Sequence, residues 1–359
     1  MLINQIGSRV KNACNLTGTT HPIWLAPMAG VPSVELSANI ANSGGMASCG
    51  TILMQPEAIT QWCQSFKSRS KGALQLNIWV PDAAAQRNIA QEQKMREFLA
   101  NWGPEVDNED ANLTPPNFDD QFDAMVAQAP TLISSSMGLF SQQQIARIKS
   151  AGILYSATVT TVKEAIQANK TGCDLIIVQG SEAGGHRATF KQEEAQSVCV
   201  GLLSLVPQVV DVVSCPVVAA GGIADARTTF AALALGASAV QIGTGFLRCP
   251  EAGIPEAWAR EIASTRPEDT TLTKGFSGRL GRSIRTDYVH ALEADGLTPC
   301  PYPVQRGLTG KMRSTAAKQN DIKGIQAWAG QSAMLARNAP ADEIALRIWN
   351  EVHASLIGS

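Results

Sequence analysis

The sequence predicts an α/β fold, a (β/α)8 TIM barrel enlarged by an insertion after the third strand and by a helical C-terminal extension. Three observations lead there. Eight short runs of apolar, β-branched or small residues recur along the chain, and many end in a glycine or a polar turn. Most neighbouring runs are separated by enough residues for a helix; alternating strand and helix gives a parallel sheet with right-handed crossovers, and eight units permit closure. The 359 residues exceed the roughly 250 of a typical barrel, so one barrel domain with additions fits.

The composition narrows the function. Hydrophobic residues make up 45% and charged residues 17%, the balance of a chain with a large buried core. Lys and Arg number 29 against 31 Asp and Glu, so there is no basic excess of the kind a nucleic-acid binder needs to displace counterions. The opening MLINQIGSRVKNAC lacks the charged-then-apolar pattern of a signal peptide, and no apolar run approaches the ~18 residues of a membrane span. The eight cysteines are scattered without a CxxC pair, so no metal site and no disulfide framework is expected. Reduced thiols in a cytoplasmic protein follow from that reading. Monomer and homodimer both fit.

In chain order, strands are expected at Ile23–Ala26, Met46–Cys49, Leu74–Ile78, Thr131–Ser135, Ile153–Ala157, Leu175–Gln179, Val217–Ala220 and Ala239–Ile242. After the first, Ser33 caps a helix with Glu35 in its first turn and Leu36 and Ile40 facing inward, and Gly44-Gly45 stops it. Residues 81–130 carry helical stretches, a Gly103-Pro104 break and a Pro115-Pro116 pair, an insertion that could partly cover the barrel. After the seventh strand Asp225 is an N-cap, with Phe230, Leu233, Ala234 and Ala237 at helical spacing and Gly236 near the end. From about residue 250 the chain forms an extension of Gly- and Arg-rich turns, closing with a helix around Asp342–Leu356.

Reactive groups of a parallel barrel belong on the loops that follow its strands, and phosphate sites commonly follow strands seven and eight. There the sequence reads Ala220-Gly221-Gly222-Ile223-Ala224-Asp225 and Gln241-Ile242-Gly243-Thr244-Gly245-Phe246. An isolated glycine loop makes a tight turn; two in consecutive units, with bare N–H groups beside a helix start, point to a bound phosphate. Thr244 adds a hydroxyl. Neither a GxGxxG fingerprint nor a Walker A motif occurs.

After the sixth strand, QGSEAGGHR places His186 in a glycine-rich loop at a strand end, where an imidazole can act as acid or base near neutral pH. Asn77 ends the third strand and Gln179 the sixth. A buried amide either satisfies local backbone or meets the polar edge of a heterocycle. Ala26-Pro27-Met28-Ala29-Gly30 makes a fixed turn whose Met28 could pack on a ring face. His21, His290 and His353 lack such settings and read as structural or solvated.

Together these stretches resemble the nitronate monooxygenase family, formerly called 2-nitropropane dioxygenases, and within it class I. PIWLAPMAGVPS, LNIW, QGSEAGGHR, AAGGIADARTTFAALALGASAVQIGTGF, FSGRLGR, PYPVQRGLT and QAWAGQSAMLAR match in the expected order over nearly the whole chain. The resemblance implies an FMN barrel that oxidises alkyl nitronates with dioxygen to carbonyl compounds and nitrite, without a reduced nicotinamide. It places FMN contacts at Asn77, Gln179, Gly184, Gly222, Gln241, Ile242, Gly243 and Thr244, with Pro27 and Met28 under the ring. It makes His186 the catalytic histidine and sets Tyr302 in the substrate cavity. A nitronate is already a carbanion equivalent, so His186 has one of two jobs. Protonated, it offsets the charge of bound nitronate; neutral, it takes the α-proton of a nitroalkane. Two departures bear on substrate choice: Ala188-Thr189-Phe190 follows Arg187 where the family has a glycine, and the fourth strand is the polar LISSSMGLF. The alternatives are an FMN barrel reduced by NAD(P)H, of the quinone or enoyl-acyl-carrier reductase type, and a barrel that binds without catalysis.

Overall fold

The computed structural model describes residues 2–357. Its eight parallel barrel strands are β1 (Ile23–Leu25), β2 (Ala47–Gly50), β3 (Leu74–Trp79), β4 (Leu132–Ser136), β5 (Leu154–Val159), β6 (Leu175–Gln179), β8 (Val217–Ala220) and β9 (Ala239–Ile242), with a short β7 (Gly185–His186) outside the barrel. They run in the order β1-β9-β8-β6-β5-β4-β3-β2. A parallel bridge between Trp24 and Met46 closes the ring, supported by the Leu25 N–H donating to the Met46 carbonyl at 2.9 Å. The last three barrel strands coincide with the sequence expectation. The others shift by one or two residues; at β3 and β4, for example, ladder pairing continues through Trp79 and Ser136, past the expected ends.

Strand alternation divides the residues into two sets. Ile23, Leu76, Ile133, Val178, Val240 and Ile242 point outward into the main core between sheet and helices. Trp24, Leu132, Leu175, Ile177 and Ala239 belong to a second cluster that fills the barrel. The same inward set turns polar toward the C-terminal strand ends, where Gln75, Asn77, Ser134, Ser136 and Gln241 are buried. The interior is therefore sealed at one end and hydrogen-bonding at the other.

The expected helix caps are present. Ser33 Oγ accepts the Leu36 N–H at 3.1 Å, and Gly44 ends that helix at a φ of 102°. Asp225 forms a capping box with Thr228 at the start of the helix Ala226–Ala234. A helix not expected from the sequence, Leu2–Thr17, packs near the barrel base with the Arg9 guanidinium on the Leu233 carbonyl at 2.8 Å. No helix among the described residues is long and apolar enough to cross a membrane.

The 81–130 insertion is smaller than the sequence implies. Its last helix, Phe118–Ala127, buries Phe122 and Met125 in the main core and is the ordinary crossover between β3 and β4. The helix Ile89–Leu99 is the true addition. Its Met95 and Leu99 share a separate core with Phe276, Tyr288, Leu292, Leu308 and Met312 of the extension. The extension also builds a three-stranded antiparallel sheet, β10 (Thr270–Thr273), β11 (Gly281–Ile284) and β7. The final helix spans Ala341–Ile357, one residue longer at each end than expected.

His21 is structural, as its setting implied. It is 1% exposed, its Nδ1 accepts the Ile23 N–H, and burial pulls its pKa down to about 4. The unfolded chain takes that proton near pH 6.5, so stability present at neutral pH is lost as pH falls from there toward 4. The slope for this group is about 1.4 kcal/mol per pH unit. Urea unfolding of His21→Gln at pH 7 and pH 5 is expected to show a shallower acid loss than the wild type; equal slopes would remove His21 as the cause.

Candidate active site

A cavity of about 560 Å³ opens at the C-terminal ends of the barrel strands. Pro27, Met28, Asn77, Gln179, Gly184, His186, Gly222, Gln241, Gly243, Thr244 and Tyr302 all line it. Ile242 does not. Alternation that turns Gln241 inward turns the Ile242 side chain outward into the main core, leaving its carbonyl to accept the Ala26 N–H at 2.9 Å.

The two glycine loops are held from an unexpected quarter. Gly221 and Gly222 adopt φ of 109° and 69°, which side-chain-bearing residues rarely tolerate. Ser332 Oγ donates to the Gly222 carbonyl at 2.6 Å, and Thr244 Oγ1 accepts the Gly330 N–H at 3.0 Å. Residues 330–332 of the extension thus fasten both loops, and the Thr244 hydroxyl proton stays available to a ligand.

Inside the mouth a chain of amides and hydroxyls crosses the barrel. Gln241 Nε2 donates to Gln75 Oε1 at 2.8 Å, and Gln75 Nε2 donates to Ser134 Oγ at 2.7 Å. Asn77 Nδ2 donates to Ser134 Oγ at 2.8 Å and Ser136 Oγ at 3.1 Å. The polar β4 therefore holds Asn77 by its nitrogen. Asn77 Oδ1 and Gln241 Oε1 have no partner among the described residues, and both residues line the cavity.

Gln179 serves its own loop. Its Nε2 donates to the His186 carbonyl at 3.0 Å, while its Oε1 accepts from the Arg187 guanidinium at 3.0 Å and from the Ala188 N–H at 2.9 Å. The stretch that lacks the family's glycine is tied as well, Thr189 to Thr160 at 2.9 Å and the Phe190 N–H to Glu164 at 2.8 Å.

His186 sits on a strand rather than a flexible loop. As part of β7 it pairs with Gly281 of β11, and the neighbouring Arg187 N–H donates to the Leu280 carbonyl. Its ring meets Trp79 edge-on at 4.7 Å and Trp328 at 4.9 Å, and its Nε2 lies 2.7 Å from Ser277 Oγ. Nδ1 has no protein partner among the described residues. Burial first, then the charges of Arg279, Arg306 and Arg313, pull its pKa down to about 3. The imidazole is neutral at physiological pH.

Those arginines, with Trp79, Trp328 and Ser277, are the site residues that sequence reasoning did not single out. Each stands in a stretch quoted above or beside one, but nothing in local spacing brings residues 79, 186, 277 and 328 together. Arg279 pairs with Asp82 and lies over the Trp79 and Tyr302 rings at 5.6 and 5.9 Å. Among the described residues no group of three or more His, Cys, Asp or Glu is placed to hold a metal ion.

A barrel with a deep cavity at the C-terminal ends of its strands is the architecture of an enzyme, and the comparisons specify the kind. Residues 11–351 match the family model described as nitronate monooxygenase. A Staphylococcus aureus (strain Newman) protein described as "probable nitronate monooxygenase" is 35% identical over 337 residues, covering 93% of this chain and 94% of that one. The solved nitroalkane oxidase from Streptomyces ansochromogenes superposes with a TM-score of 0.88 at 31% identity, over 95% of this chain and 98% of that one. FabK from Thermotoga maritima, at 23% identity and a TM-score of 0.76, covers 96% of each chain and shares the fold. The chain belongs to the nitronate monooxygenase family.

Proposed function

We propose that the protein is an FMN-dependent nitronate monooxygenase, converting alkyl nitronates and dioxygen to carbonyl compounds and nitrite, with His186 as base when the substrate is a nitroalkane. The observation that carries this reading is a neutral imidazole, framed by two indoles, in a cavity whose strand ends offer bare glycine backbone and unpaired amide oxygens.

The residues present fit FMN. Gly221 and Gly222 leave backbone N–H groups uncovered close to the helix start that Asp225 caps, so they, Gly243 and the Thr244 hydroxyl would hold the phosphate. The Oδ1 of Asn77 and the Oε1 of Gln241 would accept from ring N–H groups. Gly184 would allow close approach, and Pro27 and Met28 would lie against one face. Gln179 would act indirectly, by setting the His186 strand. Bound there, FMN supplies an acceptor for the electrons of the carbanion carbon and a partner for dioxygen.

The hydrogen bonds around Ser277 support one nitrogen of His186 as the base. Ser277 Oγ lies 3.4 Å from the Arg279 carbonyl and accepts the Arg279 N–H at 3.3 Å. With the serine proton on that carbonyl, His186 Nε2–H donates to Ser277 Oγ and the lone pair is left on Nδ1. In this arrangement Nδ1 would be the atom that receives an α-proton.

Anaerobic mixing tests the reading. The flavin absorbance of the loaded protein is expected to bleach with propionate 3-nitronate and to persist with NADH. Bleaching by NADH alone would move the protein to the reductase alternative, and a colourless preparation that FMN does not reconstitute would end the proposal.

A further inference from the structure

We propose that Arg306, backed by Arg313, is the receptor for the substrate's negative charge, a planar oxyanion site that selects nitronate over its neutral conjugate acid. This assignment rests on the function proposed above. Arg279 is engaged by Asp82 and by two aromatic faces. Arg313 donates to Gln326 Oε1 at 3.0 Å, to Thr309 Oγ1 at 3.0 Å and to the Arg306 carbonyl at 2.8 Å. The Arg306 guanidinium, half-buried and lining the cavity, makes no hydrogen bond, ion pair or ring contact with any described residue.

No carboxylate among the described residues compensates this pair. Burial is the largest influence on both, and the remaining ones are Tyr302 on Arg306, and Arg306 and Tyr288 on Arg313. Burial first, then the like charge of Arg306, pulls the Arg313 pKa down to about 9. Two guanidiniums withdrawn from water without a counter-ion are costly, and an arriving anion removes the cost. A guanidinium presents a planar fork of donors that matches two oxygens on one centre, the geometry of a nitronate group.

His186 cannot supply this charge, since its ring stays neutral. The two jobs considered for one histidine are thus divided between two residues, a neutral base and a separate cation. The phosphate of a bound cofactor is a competing source of anion, but the glycine loops that fit it belong to β8 and β9 and the adjoining 330–332 segment. Arg306 and Arg313 come from the helices Val304–Leu308 and Gly310–Gln319.

The test uses the flavin-loaded protein, with Arg306→Gln and Arg306→Lys as variants. Two quantities are read: the ratio of kcat/KM for ethyl nitronate to that for nitroethane, and nitrate binding followed by tryptophan fluorescence, because Trp79 and Trp328 flank the site. Arg306→Gln is expected to lower the ratio by at least ~10-fold and to weaken nitrate binding by a similar factor, with Arg306→Lys recovering part of both. An unchanged ratio with loss of flavin would assign Arg306 to the cofactor and overturn the proposal. So would equal nitrate affinity in wild type and Arg306→Gln, or no binding by the wild type. Turnover of neither substrate, with nitrate binding still dependent on Arg306, would remove the proposed reaction and leave the anion receptor standing.

Discussion

His186→Asn is expected to keep its flavin and lose at least ~100-fold in kcat/KM toward nitroalkanes, the usual share of a positioned general base. Toward preformed nitronates the loss is expected to be much smaller, because no proton has to be removed from carbon. The contrast separates a base from a residue that merely shapes the pocket, which would depress both substrates alike. The pH profile gives an independent check. An ordinary imidazole loses its base function as pH falls through about 6.5. His186 holds its lone pair down to about pH 3, because burial and three nearby guanidiniums oppose the imidazolium. Nitroalkane kcat/KM should therefore show no acid limb near pH 6.5. A limb centred there would contradict the neutral-base assignment.

Gly184→Ala should damage the site severely. A Cβ on Gly184 would lie 2.5 Å from the Gly330 nitrogen, 2.6 Å from the Ala329 carbonyl carbon and 2.9 Å from Thr244 Oγ1. The first two are backbone and cannot rotate aside. Relief would separate the His186 strand from the 330–332 segment and break the Thr244–Gly330 hydrogen bond that steadies the β9 loop. We expect a stability loss of about 3 kcal/mol, at the upper end for overpacking, and flavin affinity down by at least ~10-fold. Gly185→Ala is the control. No atom lies within 4 Å of its added Cβ, so only its φ of 73° opposes the change, at about 1–2 kcal/mol. Equal flavin affinity in Gly184→Ala and the wild type would show that this close approach does not support the cofactor site.

Much of this was legible in the sequence because barrel geometry is local. Apolar runs bounded by glycine mark strands, and a residue at a strand end or in the loop after it lies near the mouth, which is how Asn77, Gln179 and His186 could be chosen, while Gln241 came with the family resemblance. Alternation, applied strictly, would also have excluded the Ile242 side chain once Gln241 was taken as inward. The insertion was overextended because Phe118–Ala127 follows a proline-rich stretch that reads as irregular, whereas its Phe122 and Met125 complete the barrel core. What local patterns could not convey was the tertiary half of the site. Ser277 stands 91 residues from His186, and Trp328 lies farther still along the chain. The polar β4, read as a departure bearing on substrate, has a structural duty: its serines hold Asn77 by the nitrogen and leave the oxygen free.

The pairing of β7 with β11 has an order of events built into it. Every barrel strand is complete by residue 242, whereas the strand that clamps His186 and the segment that fastens the glycine loops come after residue 280. A chain emerging from the ribosome has all of its barrel strands translated before any of that clamp exists. The final helix, whose Ile344, Ile348 and Val352 complete the main core, is made last of all, so shape and chemistry both wait for the tail.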